Sequence, residues 1–478
     1  MTQSRTRSSP GLDKLHVLDE RGGRRYIYPA DVQGRFTRWR PRVFALLLLI
    51  YLALPWITVN GHPAVFINIL ERRFYLFGKV FNAQDFFYLF FVVSGVGFVL
   101  IVLAALFGRI FCGWACPQTV LLEGIYRRIE RLIEGPATAR AALARAPWTL
   151  NKLARRVLKH ALFLLVSFVL AHLFLAYFVS IPELLRMMRD NPLANWTAFL
   201  WGIGLTGILY FNFFWFREQF CLILCPYGRL QSAMQDRDTV VIGYDKRRGE
   251  PRGKVGATGA GDCIDCRRCV AVCPTDIDIR NGLQMECIGC AGCIDACDEI
   301  MLKVGRKPGL IRYDSERALD GEPRRFIRPR VIAYAGLGLL GLLALATAFA
   351  RYQPFEANLV RGRGAPYVID GDTVRNHVLV HVINKRAEPV TLRISAPANA
   401  SQPPADASGL QVLIPQPEAS LAPLESRAIT VVLSAQKSGF RPGRHATLRI
   451  TDERSGAVRE LEVPFAGPLL FAAPGRSP

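Results

Sequence analysis

Cysteine is missing from most of this chain. All 12 cysteines among the 478 residues lie between Cys112 and Cys297. This confinement excludes a disulfide scaffold that spans the protein, and it indicates metal or redox sites in a reducing compartment. The sequence also has no GxxxxGK[ST] motif and no GxGxxG that follows a strand pattern. A nucleotide or flavin site is therefore not expected.

Acidic residues are scarce relative to basic ones, and long apolar runs are abundant. The chain has 39 Asp and Glu against 60 Lys and Arg, and 51% of its residues are hydrophobic. Five runs are long enough to cross a bilayer. The N-terminal residues lack an apolar core, so no cleaved signal peptide is expected. The predicted spans are residues 42–60, 85–107, 159–180, 195–216 and 331–350.

The positions of the basic residues predict the orientation of the spans. Lys and Arg are concentrated in the N-terminal tail, in the loop after the second span and in the segment before the fifth span. The positive-inside rule places these three regions in the cytoplasm. The C-terminal part is then periplasmic, in a multi-pass protein of a bacterial inner membrane. Because the charge follows the membrane topology, the expected partner is the lipid bilayer and not nucleic acid.

Two similar stretches follow the second and fourth predicted spans. They read FCGWACPQ at 111–118 and FCLILCPY at 220–227. Each contains a Cys-x-x-x-Cys-Pro motif, and the duplication indicates a short internal repeat. If the helix continues through each motif, its two cysteines share one helix face. The candidate catalytic or metal-binding residues are Cys112, Cys116, Cys221 and Cys225.

Several roles for these four cysteines remain open. They can pack as small apolar side chains between helices. They can form a dithiol/disulfide couple that exchanges electrons. They can also bind a soft metal, with thiolates from both pairs meeting between the spans, and thiolates favour Cu(I). The matched Phe and Pro residues around both pairs favour the copper hypothesis over simple packing.

A third cysteine-rich segment predicts two [4Fe–4S] clusters. Its spacing, C-x2-C-x2-C-x3-C, occurs twice between residues 263 and 297. In this pattern the fourth cysteine of each motif ligates the other cluster. Structural zinc fits poorly, because zinc sites pair two C-x2-C units across a longer loop. The predicted ligands are Cys263, Cys266, Cys269 and Cys297 for cluster 1, and Cys287, Cys290, Cys293 and Cys273 for cluster 2.

The fold class is therefore a multi-domain protein, and its last part is predicted to be all-β. Short runs with period-2 alternation appear after residue 351, bounded by Gly, Pro and Asn. Six or seven such strands predict an immunoglobulin-like sandwich, with a docking or structural role. The predicted regions are a cytoplasmic tail (1–41), a four-span membrane domain (42–244), a cytoplasmic α+β ferredoxin-like domain with basic linkers (245–330), a fifth span (331–350) and a periplasmic immunoglobulin-like domain (351–478).

The five spans, FCGWACP, FCLILCP, the doubled cluster motif and the C-terminal sandwich together resemble the CcoG/FixG/RdxA family. The resemblance implies a factor for assembly of the cbb-type haem–copper cytochrome c oxidase, which reduces Cu(II) to Cu(I). It maps the cluster ligands onto the eight cysteines above and the paired motifs onto Cys112, Cys116, Cys221 and Cys225. The implied partners are copper chaperones or a copper transporter and components of oxidase assembly.

Two other functions remain open from the sequence. The NapH/NosR-type membrane ferredoxins are similar in their paired cysteines and clusters, which implies a quinol dehydrogenase that passes electrons to an external reductase. A third hypothesis is a non-enzymatic scaffold whose outer domain docks oxidase subunits. The sequence leaves the electron donor open, between a quinol and a cytoplasmic reductant.

Overall fold

The computed structural model describes nine stretches of the chain and divides it into two compact units. The first unit contains the membrane helices and the cysteine-rich segment, and the second contains the C-terminal strands. Most of the predicted N-terminal tail lies outside the described residues. The described stretches are residues 26–59, 61–69, 71–81, 86–350, 353–361, 365–386, 388–396, 410–437 and 444–467.

The first unit is mainly helical. Its α-helices are α1 (Arg35–Ala53), α2 (Phe86–Phe107), α3 (Ile110–Trp114), α4 (Pro117–Leu121), α5 (Arg127–Glu134), α6 (Ala137–Arg145), α7 (Leu150–Leu175), α8 (Ile181–Arg189), α9 (Trp196–Phe211), α10 (Pro226–Met234), α11 (Lys246–Gly249), α12 (Arg268–Ala271), α13 (Gly292–Lys303), α14 (Glu316–Leu319) and α15 (Pro329–Ala350). Turns of π-helix cover Leu122–Tyr126, Asn212–Phe216 and Phe220–Leu224, and 3₁₀ turns cover Leu54–Trp56 and Ile279–Asn281.

Five helices of the described residues are long and apolar enough to cross a membrane. Two of them begin earlier than predicted. The first begins at Arg35 and the third at Leu150, because basic side chains are compatible with a helix that extends beyond the bilayer. Thr149 also caps the third helix, since its hydroxyl accepts the amide of Lys152 at 3.2 Å. The five are Arg35–Trp56, Tyr88–Phe107, Leu150–Leu175, Trp196–Phe216 and Pro329–Thr347.

The core of the membrane part lies where α7 and α9 pack against the turn that precedes α5. Tyr126 is fully buried there and stacks on Phe213, with ring centroids 4.4 Å apart. Its hydroxyl forms a hydrogen bond of 2.8 Å with Ser167 on α7. A buried phenol needs such a partner, so this bond fixes how α7 sits against the turn.

The cysteine-rich segment folds as the predicted mixture of helix and strand. An antiparallel pair, β6 (Val240–Tyr244) and β7 (Ile311–Ser315), brackets the segment on both sides in the sequence. Helices α12 and α13 pack together between them. Cysteines and aliphatic side chains form its buried core. The fold therefore holds both cysteine motifs in one small α+β body.

The second unit contains two antiparallel sheets around an aliphatic core. One sheet has the order β12-β14-β10-β8, with β9 beside β10, and the other has the order β13-β11-β15-β16. Alternating burial along the strands matches the predicted period of two. The strands are β8 (Phe355–Arg361), β9 (Val368–Asp370), β10 (Thr373–Asn384), β11 (Val390–Ser395), β12 (Gln411–Leu413), β13 (Glu418–Leu421), β14 (Ser426–Gln436), β15 (His445–Asp452) and β16 (Val458–Pro464).

Five short strands lie between α1 and α2. Of these, β4 and β5 form an antiparallel hairpin. Arg73 of the hairpin donates a hydrogen bond of 3.0 Å to the carbonyl of Leu424 in the second unit, to which the hairpin belongs. The strands are β1 (Thr58–Val59), β2 (His62–Pro63), β3 (Val65–Asn68), β4 (Arg73–Leu76) and β5 (Lys79–Phe81).

Candidate functional site

The first Cys-x-x-x-Cys-Pro motif is a helix–extended–helix turn. Gly108 has a φ of +54° and ends α2, so Cys112 lies on the separate short helix α3. Cys116 is extended and immediately precedes α4, which begins with Pro117. Proline is favoured at a first helical position because its missing N–H is not needed there. The expectation that Cys112 and Cys116 share one helix face is therefore wrong.

The second motif has the same plan. Cys221 lies in the π-helical turn Phe220–Leu224, and Cys225 is extended before α10, which begins with Pro226. Arg217, which directly follows the π-helical turn Asn212–Phe216 and lies three residues before Phe220, has a φ of +47°, which is uncommon for a side chain of this size. The repeat predicted from the sequence is thus visible as two matching backbone turns.

Hydrogen bonds connect the two motifs. Arg109, before the first motif, donates to the carbonyl of Gly228 and to the hydroxyl of Ser232 on α10. The Cys112 thiol donates to the side-chain oxygen of Gln231 at 3.3 Å. Gln118, after the first motif, donates to the carbonyl of Arg217 at 3.1 Å. These reciprocal contacts bring together two stretches that lie far apart in the sequence.

A buried network of ion pairs links the residues just before the second motif to the helix that follows the first motif. Arg217 is 1% exposed and forms a salt bridge of 2.8 Å with Glu130, which is 3% exposed. Arg127 pairs with Glu123 and with Glu218, the residue after Arg217. Burial opposes the ionisation of Glu130, but the charge of Arg217 holds the pKa of this carboxyl below its ordinary value. Both groups of the Arg217–Glu130 pair are therefore charged, and each needs the other.

The four thiols of the two motifs influence one another. Burial raises the pKa of Cys112 to about 12, and Cys116 and Cys225 contribute to the rise. Burial also raises the pKa of Cys221, with contributions from the other three thiols. The pKa of Cys116 is raised by burial too, although two backbone amides of the following turn favour its thiolate. The raised pKa values favour the protonated thiol at Cys112, Cys116 and Cys221, and the two pairs form one neighbourhood.

The four thiols are of the ligand type that a soft metal prefers. Their side chains are not arranged around one metal position in this structure. Among the described residues, no three His, Cys, Asp or Glu side chains are grouped in a way that could hold a metal ion. Within the described part of the chain, the side-chain nitrogen of Gln231 is buried beside Cys112 and makes no hydrogen bond of normal geometry, although the Tyr227 hydroxyl is close to it. A thiolate formed on metal binding supplies an acceptor for such a donor. The copper assignment stays a prediction.

Two cavities in the cysteine-rich segment match the predicted ligand sets. One has about 330 Å³ of atom-free space and is lined by Cys263, Cys266, Cys269 and Cys297, together with apolar side chains. The other has about 340 Å³ and is lined by Cys273, Cys287, Cys290 and Cys293. Cys269 lines both cavities, so they are adjacent.

The donor sets of the two cavities suit iron–sulfur clusters. One cavity has its four predicted cysteine ligands around its space and the other has its four plus Cys269, whereas a single ion needs its donors to point at one spot. A bound [4Fe–4S] cluster accepts and donates electrons at a potential set by nearby hydrogen bonds and charges. Burial raises the pKa of the Cys287 thiol, and the nearby charge of Arg109 offsets a small part of this rise. The assignment of individual ligands to each cluster stays a prediction.

The first paired motif packs directly against the loop of the second cavity. A Cβ atom on Gly113 would lie 2.6 Å from the carbonyl oxygen of Ile288 and 2.9 Å from Gly289. The Trp114 indole donates to the Tyr313 hydroxyl at 3.3 Å, and that hydroxyl donates to the Gly289 carbonyl at 2.7 Å. The backbone between the two paired cysteines therefore contacts the backbone between Cys287 and Cys290.

Sequence reasoning missed the residues that make this contact. The glycine in FCGWACP was a visible signal, because glycine permits close approach of two backbones. Arg109 stands shortly before the first motif as Arg217 does before the second, but this offset does not indicate its partners, and Gln231 had no signal at all, because their partners lie on a distant part of the chain. Tyr313 stands in β7 and reads as an ordinary strand residue.

Three family models match the chain. Residues 216–316 match a "4Fe-4S dicluster domain", and residues 88–136 match a "4Fe-4S binding domain". Residues 345–468 match a model described as an "IG-like fold at C-terminal of FixG". The first two models support iron–sulfur clusters, and the third supports an immunoglobulin-like fold for the C-terminal strands.

Curated relatives are similar over most of the chain. Nitrogen fixation protein FixG of Rhizobium meliloti is 35% identical over 78% of this chain and 79% of its own length. Protein RdxA of Cereibacter sphaeroides is 39% identical over 67% of this chain and 71% of its own length. Protein RdxB of the same organism is 34% identical over 78% of this chain and 82% of its own length.

These similarities agree with the observed architecture. Five apolar helices make the chain a multi-pass membrane protein, and the cysteine-lined cavities lie within the region matched by the dicluster model. The C-terminal strands β8 to β16 lie within the region matched by the C-terminal model. The chain belongs to the FixG/RdxA family and is an iron–sulfur electron-transfer protein of the membrane.

Proposed function

We propose that the protein reduces Cu(II) to Cu(I) at Cys112, Cys116, Cys221 and Cys225, with electrons from its two [4Fe–4S] clusters. The observation that supports this most strongly is the contact of Gly113 with Ile288 and Gly289. It joins the paired-thiol site to the wall of the cavity that contains Cys287 and Cys290. Electrons can therefore pass between the two sites over a short distance, with no mobile carrier.

The chemistry of the thiols suits copper as the substrate. Thiolates stabilise Cu(I) more than harder ligands do, so they favour the reduced product. Each Cu(II) ion gains one electron, and one reduced cluster loses one electron. Because partial burial raises the pKa of Cys112, Cys116 and Cys221, metal binding to their thiolates releases protons. Binding also requires the thiols to turn toward a common position, since they do not surround one ion in this structure.

The proposed topology and partners follow from the same hypothesis. The positive-inside pattern favours clusters and paired thiols on the cytoplasmic side, with the immunoglobulin-like unit in the periplasm. Cu(I) then passes to copper chaperones or to a copper transporter for assembly of a cbb-type cytochrome c oxidase. A quinol or a cytoplasmic reductant supplies the electrons.

A transient-kinetic experiment tests copper reduction. The full-length protein is purified with intact clusters in lipid nanodiscs, reduced, freed of excess reductant and mixed with Cu(II) and a Cu(I)-specific chelator. We expect cluster absorbance to recover as Cu(I) appears, with one Cu(I) for each electron stored. The variant with all four paired cysteines changed to serine is the comparison.

The comparison variant must retain its clusters for the test to be valid, and absorbance and iron content verify this. We expect it to reduce Cu(II) at least tenfold more slowly than the wild type, since the substrate then lacks its soft ligands. Equal rates in the two proteins would show that copper takes electrons directly from the clusters, and the proposed site would be wrong.

A second function, quinol oxidation, is favoured by a cavity at the end of α2. Its walls include Phe107 and Arg109 from the membrane part, Cys287 and Gly289 from the cluster segment, and Glu316. The cavity has about 1010 Å³ of atom-free space, which includes open solvent. It combines apolar walls, a carboxylate and a cluster ligand near the membrane, as oxidation of a quinol requires.

Reduction of the clusters by a quinol analogue tests this second function. Rapid cluster bleaching by the analogue, with no Cu(I) formed when copper is added, favours a quinol dehydrogenase that serves another acceptor. Rapid bleaching followed by Cu(I) formation joins the two functions, with the quinol as electron donor. No bleaching excludes the quinol and leaves a soluble donor.

A further inference from the structure

Another cavity, separate from the three described above, lies between α1, α5 and the wall of the cluster cavity that contains Cys290. Five arginines line it, against two carboxylates. Its atom-free space is about 990 Å³, which includes open solvent. The arginines are Arg40, Arg127, Arg128, Arg131 and Arg140, and the carboxylates are Asp31 and Glu123.

Three of the five arginines are already neutralised by ion pairs. Arg127 pairs with Glu123 and Glu218, and Arg140 pairs with Glu130 at 3.3 Å. Arg131 pairs with Asp31 at 3.1 Å. The two carboxylates that line the cavity are therefore used by their own partners.

The other two arginines have no acidic partner in the described part of the chain. Arg40 donates through Nε to the Gly113 carbonyl at 3.2 Å, and its guanidinium lies 5.1 Å from the Phe44 ring. One of its terminal nitrogens, Nη2, is buried and makes no hydrogen bond within the described residues. Arg128 is exposed on α5, and its side chain has no ion pair there. A buried guanidinium nitrogen without an acceptor is costly, so it indicates a missing anionic partner.

The backbone adds to the positive potential of the cavity. Gly292, the first residue of α13, forms part of the wall. The N-terminus of a helix carries a partial positive charge that favours phosphate groups, and here the buried carboxylate of Asp295 in the first turn, which accepts the Phe36 and Thr37 amides, offsets part of that charge. Guanidinium groups match phosphate oxygens in charge and in planar geometry. The helix end, the buried Nη2 and the unpaired Arg128 all favour the same class of ligand.

We propose that this cavity binds a phosphate group through Arg40 and Arg128. Thr37, Pro41 and Phe44 of α1 form another wall, and they belong to the first turns of an apolar helix. This position suits the phosphate of an anionic lipid headgroup, and free inorganic phosphate shares the same chemistry. The proposed ligands include none of the paired thiols, although Arg40 also contacts Gly113 of the first paired motif.

A phosphate in this cavity is close to the second cluster site, because Pro274 and Cys290 line the cavity too. The added negative charge disfavours an additional electron on a cluster beside it. Phosphate binding is therefore expected to lower the reduction potential of the cluster held by Cys287, Cys290, Cys293 and Cys273. An anionic lipid or free phosphate would then change the driving force for electron transfer from this cluster to its acceptor.

The test measures binding in the intact, cluster-loaded protein. Nanodiscs of zwitterionic phosphatidylcholine are compared with nanodiscs that contain phosphatidylglycerol, and retained lipid is counted by native mass spectrometry. Inorganic phosphate is titrated separately by calorimetry in the zwitterionic nanodiscs. The variant Arg128→Gln is compared with Arg330→Gln, which removes an exposed arginine at the start of α15.

We expect Arg128→Gln to bind phosphatidylglycerol or phosphate about tenfold more weakly, since a charged hydrogen bond is lost. Arg330→Gln should bind like the wild type. Binding of the lipid alone identifies the headgroup as the source, and binding of inorganic phosphate identifies a soluble source. Absence of binding in both arms, or equal weakening in the two variants, overturns the proposal.

A variant of Arg40 tests the same site without relying on Arg128. Arg40→Lys retains the charge but removes the fork that reaches both Gly113 and the cavity. If its clusters are intact by absorbance, it should also bind phosphate more weakly. Redox titration supplies a further readout: added phosphate should lower the potential of one cluster in the wild type and leave it unchanged in Arg128→Gln.

Discussion

The two cysteine-containing sites of this protein are built in opposite ways. The eight cysteines of the cluster segment lie within one short stretch, and two adjacent cavities collect them. The four cysteines of the paired motifs come from two stretches separated by α5 to α9, and buried polar contacts hold them together. The first site is encoded by local spacing, whereas the second depends on the packing of the whole membrane part.

The two sites are therefore expected to respond differently to substitutions. A local site loses its cofactor when a ligand is removed, but distant substitutions leave it intact. An assembled site tolerates the loss of one thiol and fails when the contacts between its halves are broken. The paired-thiol site and the cluster segment contact each other at Gly113 and Gly289.

The largest expected effect separates cluster ligands from paired thiols. Cys287→Ser should remove one cluster and about half of the bound iron, because each cluster needs four thiolates. Cys112→Ser should leave iron content unchanged. Iron analysis and low-temperature electron paramagnetic resonance of the reduced protein measure both results. Loss of iron in Cys112→Ser would show that the paired motif also binds iron.

The next effect concerns the ion pair that holds the second motif. Arg217→Gln removes the shorter of the two ion pairs of buried Glu130 and leaves Arg140 at 3.3 Å, so we expect it to destabilise the protein by about 3 kcal/mol, the lower end for a broken buried pair. Denaturant or thermal unfolding, followed by helical signal and cluster absorbance, measures the change.

The matched control for Arg217→Gln is Arg237→Gln. Arg237 pairs with Asp320 at 2.8 Å, but both side chains are more than half exposed. An exposed pair contributes about 0–1 kcal/mol, so this variant should unfold like the wild type. Similar losses in the two variants would contradict the view that burial makes the Arg217 pair important.

A smaller effect tests the contact between the two sites. Gly113→Ala forces a methyl group against the Ile288 and Gly289 backbones, and overpacking of this kind costs about 1–3 kcal/mol. We also expect slower transfer of electrons from reduced clusters to copper. Gly95→Ala in α2 is the control, since nothing lies within 4 Å of its added Cβ. Normal stability and transfer in Gly113→Ala would mean that the two loops are not in contact.

The smallest expected effect concerns the aromatic bridge over this contact. Tyr313→Phe removes the hydrogen bond to the Gly289 carbonyl and the acceptor of the Trp114 indole. Such a change costs about 1 kcal/mol, measured as a small decrease in Tm. Tyr334→Phe on α15, whose hydroxyl makes no hydrogen bond within the described residues, is the control. Loss of a cluster in Tyr313→Phe would show a larger role than bridging.

Much of the fold could be predicted from periodicity. Continuous apolar runs predicted the five helices, and alternation in the last part predicted antiparallel strands, because both patterns follow from the local geometry of the backbone. The starts of α1 and α7 were predicted too late. Apolarity marks the part of a helix that lies in lipid, while the helix itself extends through Arg38 and Lys152 beyond it.

The candidate site was predictable only in part. The spacing of Cys263 through Cys297 predicted two cluster cavities, since ligands that are close in sequence must be close in space. The shared helix face of Cys112 and Cys116 was wrong, because Pro117 begins a new helix there. Pro226 begins a new helix in the same way after Cys225.

The sequence by itself determined the number of apolar helices, the cysteine-rich cluster segment and the all-β character of the last unit. These properties depend on composition and on spacing within short windows. Only the tertiary structure decided that the two paired motifs form one neighbourhood, that Gly113 contacts the cluster loop and that Arg40 reaches a cavity without an acidic partner. Those contacts join residues that are remote along the chain, and no local pattern specifies which remote residues will pack together.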